Sequence, residues 1–200
     1  MYSKAITHLS KDPVLNKVII ELELSFTSDN KDVYGSLIRS IISQQLSVKA
    51  AGTIHRRFLE LFEEEGPHPR ALLKKSVEEL RTVGLSRQKS SYMHNIAEFF
   101  IANQLEDMDW TEQSDTAIIQ LLTEIKGVGL WTVQMILMFS LNRPDVFPSG
   151  DLGIQQAMKN LYGLKGKGKD LIMQMHRVAD KWRPYRTIAC RHLWKWKDKK

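Results

Sequence analysis

Asp151 is the residue of this chain that is best placed to do chemistry. It follows the turn-forming sequence Phe147-Pro148-Ser149-Gly150 and lies 22 residues beyond Gly129. A fixed carboxylate can stabilise a developing positive charge or activate an attacking water molecule. The position before Leu152 also suits a helix N-cap, and one aspartate can fill both roles.

A Gly-apolar-Gly turn, Gly127-Val128-Gly129, precedes this aspartate. It joins an apolar helical segment to a helix that is predicted to start at Leu130. Glycines permit a tight reversal and the close approach of another backbone, and the start of a helix offers amides to a phosphate. An ordinary connector between two packed helices is the alternative interpretation. Together, the turn and the aspartate predict a protein that binds the phosphate backbone of DNA and acts on one nucleotide.

The composition agrees with a nucleic-acid partner. The chain has 200 residues, with 29 Lys and Arg against 23 Asp and Glu, which gives a formal charge of +6. A basic balance favours a polyanionic partner. Cys190 is the single cysteine, which excludes an intramolecular disulfide and a four-cysteine iron–sulfur or zinc site. With neither a membrane-length apolar run nor a signal-peptide core, the sequence predicts a soluble, cytoplasmic protein.

The apolar pattern that must position these residues is helical almost throughout, which predicts an all-α fold. Residues 19–26 alternate imperfectly and are compatible with a strand, although a helix or an extended lead-in is favoured. The predicted helices are Tyr34–Leu46, Val48–Phe62, Ala71–Leu73, Val77–Val83, Lys89–Asn103, a helix that is capped by Ser114-Asp115 and reaches Ile125, Thr132–Leu141, Leu152–Tyr162, Leu171–Lys181 and Tyr185–Trp196.

Three separated motifs carry a resemblance to a known family. They are Glu124–Thr132 (EIKGVGLWT) followed by Phe147–Asp151 (FPSGD), then Ile41–Ser47 (IISQQLS), and finally Trp182–Arg186 (WRPYR) with His192–Trp194 (HLW). This set resembles the helix-hairpin-helix DNA glycosylases, and within them the 3-methyladenine DNA glycosylase II branch. The resemblance covers roughly residues 30 to 196.

The resemblance implies an architecture and an activity. Two helical lobes, approximately residues 34–145 and residues 1–33 plus 146–200, are expected to carry the hairpin and a DNA-binding cleft between them. The expected activity is base excision on double-stranded DNA. An alkylated base of the 3-methyladenine or 7-methylguanine type is flipped out, its N-glycosidic bond is hydrolysed, and an abasic site is left. The enzyme is expected to act as a monomer.

The resemblance also assigns the catalytic and base-binding residues. Asp151 matches the catalytic aspartate. Trp131 stands where bifunctional relatives similar to endonuclease III carry a Schiff-base lysine, and an indole cannot form that imine. Trp131 and Trp194 are then expected to line the base pocket, where an electron-rich ring stacks on a cationic base. Core packing is the alternative for both tryptophans.

The remaining implied roles concern contact with the duplex. Gln44, Gln45 and Leu46 match the segment that fills the gap left by the flipped base, and a polar break before a new helix is the alternative. Gly127, Gly129 and Thr132 are expected to bind one phosphate. The main-chain carbonyls of Thr123, Ile125 and Val128 match a site that can hold Na⁺ or K⁺, and no other cofactor is expected. Lys126 replaces a proline that is common in the family.

The sequence also bears on three other interpretations. A non-catalytic helix-hairpin-helix protein that binds bent or damaged DNA would not need Asp151. An oxidised-base glycosylase is disfavoured by Trp131 and by the absence of a cysteine set. Residues 163–170 (GLKGKGKD) satisfy most of a phosphate-loop pattern, but Asp170 replaces the Ser/Thr that should reach magnesium, and a helix is predicted before it. The six histidines show no metal-ligand spacing.

Overall fold

The computed structural model of the protein describes residues 2–22, 24, 31–62 and 66–199. No β-strand occurs in these residues, which confirms the all-α prediction. None of their helices is both long and apolar enough to cross a membrane. The helices are α1 (Tyr2–Leu9), α2 (Pro13–Glu21), α3 (Val33–Ser43), α4 (Val48–Leu59), α5 (Pro69–Leu73), α6 (Val77–Thr82), α7 (Arg87–Ala102), α8 (Asp115–Thr123), α9 (Leu130–Phe139), α10 (Leu152–Tyr162), α11 (Gly168–Ala179) and α12 (Arg186–Asp198), with a 3-10 turn over Asp180–Trp182.

The predicted helices occur, but several end earlier than the apolar pattern indicates. Helix α8 ends at Thr123 rather than Ile125, because the Ile125 N–H turns back to the carbonyl of Leu122. Helix α4 ends before Phe62 for the same reason, since the Phe62 N–H donates to Leu59. Such three-residue hydrogen bonds tighten a helix end and reverse the chain.

The region predicted as residues 19–26 is resolved in part. Ile19 lies within α2, and Leu22 takes an extended conformation as its C-cap. The helix interpretation is therefore confirmed as far as Glu21, whereas residues 23 and 25–26 lie outside the described part of the chain. Helix α1 and the start of α2 were not predicted.

Two compact units divide the chain. The first comprises residues 1–29 and 137–200, and the second residues 30–136, so that the boundary falls within α9. Residues 137–145 thus belong to the first unit, whereas the sequence analysis placed them in the other lobe. Hydrogen bonds explain the difference. The Arg143 N–H donates to the Leu137 carbonyl at 2.8 Å, and the Thr187 hydroxyl of α12 donates to the Arg143 carbonyl at 2.6 Å.

In the second unit, α3 and α7 share a buried apolar face. Leu37 and Ile41 of α3 and Met93 and Ile96 of α7 are fully buried. Phe100 extends this core as its ring meets Tyr34 edge-on at 5.2 Å between centroids. The packing fixes the end of α3 relative to the start of α7, and the turn that follows α3 is therefore held close to α7.

In the first unit, one carboxylate joins three elements. Asp12 caps α2, because its Oδ1 accepts the N–H groups of Val14 and Leu15 at 2.9 and 3.1 Å. Its Oδ2 accepts the Tyr162 hydroxyl of α10 at 2.9 Å and the Trp182 indole N–H at 3.1 Å. Burial opposes ionisation of Asp12, but these hydrogen bonds outweigh it and lower the pKa of the carboxyl.

Asp12→Asn should lower the free energy of unfolding by about 1–2 kcal/mol at neutral pH, because an amide nitrogen cannot accept from Tyr162 and Trp182. The folded-state pKa lies below the unfolded one, so the stabilisation is present above the unfolded pKa and is lost as pH falls through the folded pKa. Urea unfolding midpoints of both proteins should therefore converge on acidification. A difference that is independent of pH would contradict this role for the carboxylate.

Candidate active site

Asp151 is held by the turn that precedes it and by the helix that follows it. Its N–H donates to the Pro148 carbonyl at 2.9 Å, and the Gln155 side chain donates to the Ser149 carbonyl at 3.0 Å. Asp151 is the N-cap of α10, with Oδ1 accepting the Ile154 N–H at 2.8 Å. The predicted capping role is confirmed, and the start of α10 fixes the direction of the carboxylate.

Trp194 makes a second contact with the same carboxylate oxygen. Its indole N–H donates to Asp151 Oδ1 at 2.8 Å. Gly153 leaves room for this approach, because a Cβ there would lie 3.0 Å from Asp151 Oδ1 and 3.1 Å from Trp194 Cδ1. The sequence analysis assigned Trp194 to the base pocket, and that role stays a prediction. The structure gives Trp194 a contact that the sequence did not indicate.

An aromatic and a cationic side chain continue from Trp194. The Phe139 ring lies 5.9 Å from the Trp194 ring between centroids, tilted by 32°. The guanidinium carbon of Arg191 lies 5.4 Å from the Phe139 centroid, a cation–π geometry. Phe139 is 41% exposed. Sequence reasoning missed Phe139 and Arg191, since no local pattern relates the end of α9 to α12.

Helix α12 also anchors the segment that leads to Asp151. Arg186, which is buried, donates from Nε to Asp145 Oδ1 at 2.7 Å and from its terminal nitrogen to the Asp145 carbonyl at 2.7 Å. The Val146 N–H donates to the Thr187 hydroxyl at 3.0 Å. A single helix therefore positions both the chain before Asp151 and the indole that contacts it.

The predicted hairpin is formed by α8, residues 124–129 and α9 in the second unit. Gly127 has a φ of 104°, and a Cβ at this position would overlap the ring of Tyr92 from α7. The Asn95 side chain of α7 donates to the Lys126 carbonyl at 3.1 Å. Gly127 is thus required by the backbone and by its neighbour, and α7 supports the hairpin.

Gly129 differs from Gly127 in its surroundings. A Cβ at Gly129 would meet no atom within 4 Å, and its carbonyl accepts the Val133 N–H at the start of α9. The amides of a first helical turn have no acceptor within the helix. Trp131 is 47% exposed, whereas Thr132 is only 4% exposed. Thr132 is thus buried at the start of α9, and its expected contact with a phosphate stays a prediction.

The three carbonyls expected to hold a cation lie at the end of α8 and in the following turn. Thr123 is the last residue of α8, and the Ile125 carbonyl accepts the Val128 N–H at 3.0 Å. A carbonyl oxygen that accepts one hydrogen bond still has a second lone pair, and main-chain carbonyl oxygens are suitable ligands for Na⁺ and K⁺. The chemistry of the donors fits the predicted ion.

The predicted insertion segment forms the turn between α3 and α4. Gln45 is exposed with a φ of 58°, and Leu46 is 39% exposed. The ammonium group of Lys89 in α7 donates to the carbonyls of Ile42 and Gln44 at 2.9 and 2.8 Å. The sequence analysis did not identify Lys89, because no local pattern relates it to a turn more than forty residues away.

Residues 163–170 do not have the setting of a phosphate loop. They follow helix α10 rather than a strand, as predicted, and α11 begins within them at Gly168. Across the described residues, no group of three or more His, Cys, Asp or Glu side chains is arranged to hold a metal ion.

Comparison with known proteins gives the same picture along nearly the whole chain. Residues 38–184 match the family described as HhH-GPD superfamily base excision DNA repair protein. The chain is 34% identical over 199 residues to DNA-3-methyladenine glycosylase 1 of Schizosaccharomyces pombe, which covers 96% of this chain and 86% of the relative.

Two solved structures are similar in sequence and fold. A DNA-3-methyladenine glycosidase from Bacillus halodurans is 36% identical with a TM-score of 0.75, covering 96% of this chain and 87% of that one. The Schizosaccharomyces pombe 3-methyladenine DNA glycosylase in complex with abasic DNA is 33% identical with a TM-score of 0.78, covering 98% and 97%.

The helical fold, the hairpin and the capped aspartate define a base-excision DNA glycosylase. The chain belongs to the HhH-GPD superfamily of base excision DNA repair proteins.

Gly129→Val should weaken binding to duplex DNA about tenfold, because the branched side chain would occupy the space before the first amides of α9 and remove hydrogen bonds to a phosphate. The open surroundings of Gly129 should leave the fold intact. Affinity is measured by fluorescence anisotropy at fixed ionic strength.

Two other glycines provide the controls. Gly52→Val introduces the same side chain at another open position of this unit and should bind normally. Gly127→Ala should lower the melting temperature, since its φ and its contact with Tyr92 exclude a Cβ. Unchanged affinity of Gly129→Val would show that the turn is only a connector.

Proposed function

We propose that this glycosylase hydrolyses the N-glycosidic bond of alkylated purines, of the 3-methyladenine and 7-methylguanine type, in double-stranded DNA and leaves an abasic site. The observation that carries the proposal is the carboxylate of Asp151, oriented by the Ile154 N–H and the Trp194 indole. The names of the similar proteins in two organisms support the substrate class.

The chemistry needs one anionic group at the sugar. When the bond between C1′ and the base nitrogen breaks, its electron pair leaves with the base and positive charge develops on the sugar. A purine methylated at N3 or N7 is already cationic, so it departs as a neutral base without a strong general acid. Asp151 would stabilise the oxocarbenium charge or accept a proton from the attacking water.

Water is the proposed nucleophile, and no covalent enzyme intermediate is formed. Trp131 lies at the position that the resemblance assigns to the Schiff-base lysine, and its indole has no nucleophilic amine. Its exposure, 47%, is what a stacking surface for a flipped base requires. A cationic base would be attracted to the electron-rich faces of such rings.

Binding to the duplex is assigned to the two turns of the second unit. The amides of Gly127, Gly129 and Thr132 are proposed to hold one phosphate, and Gln44, Gln45 and Leu46 to fill the gap left by the base. The carbonyls of Thr123, Ile125 and Val128 would hold Na⁺ or K⁺, which would add positive charge near that phosphate. The enzyme is proposed to act as a monomer in the cytoplasm, at the nucleoid if it is bacterial.

Asp151→Asn should reduce the release of free base from methylated duplex DNA by at least about a hundredfold, as expected for removal of an electrostatic catalytic group. The asparagine oxygen can still accept from Ile154 and Trp194, so the fold and the DNA affinity should be retained. Bases released in a single turnover are separated by chromatography, and affinity is measured on the same duplex.

Asp170→Asn is the matched control, since it removes an equal charge from an exposed residue of the same unit, and it should excise normally. The wild-type product should stay unbroken until alkali is added, and borohydride should trap no covalent complex. Near-normal excision by folded Asp151→Asn would refute its catalytic role. Strand cleavage without alkali, together with a trapped complex, would refute the hydrolytic mechanism.

A further inference from the structure

Lys89 joins the start of α7 to the end of α3. It lies in the first turn of α7, where its N–H donates to the Ser86 cap at 3.2 Å. Its half-buried side chain donates to the carbonyls of Ile42 and Gln44 at 2.9 and 2.8 Å. Burial lowers the pKa of this ammonium group, as expected for a lysine directed at the protein backbone rather than at solvent.

These two carbonyls lie at the C-terminal end of α3, where main-chain carbonyls lack hydrogen-bond donors. The last carbonyls of an α-helix have no donor within the helix. Helix α3 ends at Ser43, so the carbonyl of Ile42 is one of them, and Gln44 is the C-cap. In many helices a glycine in the left-handed conformation would reverse the chain at this point and supply the missing donors. Here Gln45 rather than a glycine takes the left-handed conformation, and Lys89 supplies two further N–H groups.

The turn that follows is in an unfavourable backbone conformation. Gln45 has a φ of 58°, a backbone conformation that residues other than glycine seldom adopt. The Leu46 N–H donates to the Ser43 carbonyl at 3.1 Å, and Ser47 caps α4. These local contacts define the turn, while Lys89 attaches it to a third helix. Lys89 therefore stabilises a conformation that the local sequence does not favour.

We propose that Lys89 is a positioning residue for base extrusion, which holds the α3–α4 turn so that Gln45 and Leu46 enter the duplex as a preformed wedge. The proposal rests on the proposed function of this turn. A wedge that is ordered before binding loses less conformational entropy when it enters the base stack. The ammonium group acts through the backbone of the turn and has no contact with the reacting atoms.

The test compares binding to an undamaged duplex and to one containing a tetrahydrofuran abasic site. Lys89→Met keeps the length of the side chain but removes its donors and charge. We expect the preference for the abasic duplex to fall about tenfold, since charge-assisted hydrogen bonds that hold the wedge are lost. Affinity for the undamaged duplex should change by no more than about twofold, as for the loss of one distant charge.

Two variants provide the controls. Lys89→Arg retains donors and charge, and it should recover most of the preference for the abasic duplex. Lys74→Met removes an exposed positive charge from the same unit and should behave as the wild type. A 2-aminopurine opposite the abasic site adds a spectroscopic signature. Its fluorescence should change on binding of the wild type when the wedge displaces it, and change less with Lys89→Met.

A double-mutant cycle separates positioning from general stabilisation. Leu46→Ala should reduce the preference for the abasic duplex in the wild type but have little further effect in Lys89→Met. Additive effects, or wild-type preference in Lys89→Met, would overturn the proposal. This result would leave the proposed function intact, because base release by the wild type is scored separately. If the wild type released no base while the cycle showed coupling, the proposed activity would fail and the role of Lys89 in binding would stand.

Discussion

The proposed active site depends on the pair of hydrogen bonds that Asp151 Oδ1 accepts. One comes from the Ile154 N–H in the first turn of α10, and the other from the Trp194 indole of α12, both at 2.8 Å. Because a single oxygen receives both donors, the plane and direction of the carboxylate follow from how α10 and α12 pack. Gly153 leaves room for this packing, since a Cβ there would lie 3.0 Å from Asp151 Oδ1 and 3.1 Å from Trp194 Cδ1. The ion pair between buried Arg186 and half-buried Asp145 then fixes the incoming chain to the same α12. A hydrolytic enzyme with one carboxylate gains from such preorganisation, as no reorientation is needed when charge develops.

The second unit contains a comparable arrangement, centred on α7. Lys89, Tyr92 and Asn95 recur at three-residue intervals, which places them along one side of this helix. Lys89 holds the α3–α4 turn, Tyr92 occupies the space that a Cβ at Gly127 would need, and Asn95 donates to the carbonyl of Lys126. One helix thus supports both of the turns to which DNA contacts are assigned. The bond from Asn95 is accepted by the main chain of residue 126, so it holds the turn independently of the Lys126 side chain.

Local signals in the sequence predicted much of the fold and the capping role of Asp151. Apolar periodicity indicated the helices from α3 onwards, and Ser114 and Asp151 were recognisable as caps. Helix α1 and the start of α2 were missed, although Asp12-Pro13 is a helix start signal. The alternating residues from Ile19 obscured the pattern of α2. The contacts of Trp194, Gly153, Phe139 and Lys89 were not predictable in the same way. Periodicity identifies which face of a helix is buried, but not which distant side chain covers it. The approach of Trp194 to Asp151 spans 43 residues and follows from tertiary packing alone.

The most direct test of this account is the single-turnover rate of base release by Trp194→Phe on methylated duplex DNA. Phenylalanine keeps a ring against Phe139 but cannot donate to Asp151, so the substitution isolates the hydrogen bond. The account predicts a rate about ten- to a hundredfold below that of the wild type, the effect of losing one hydrogen bond to a charged group. Affinity for the undamaged duplex should be unchanged. A folded variant that releases base at the wild-type rate would contradict the claim that Trp194 orients the proposed catalytic carboxylate.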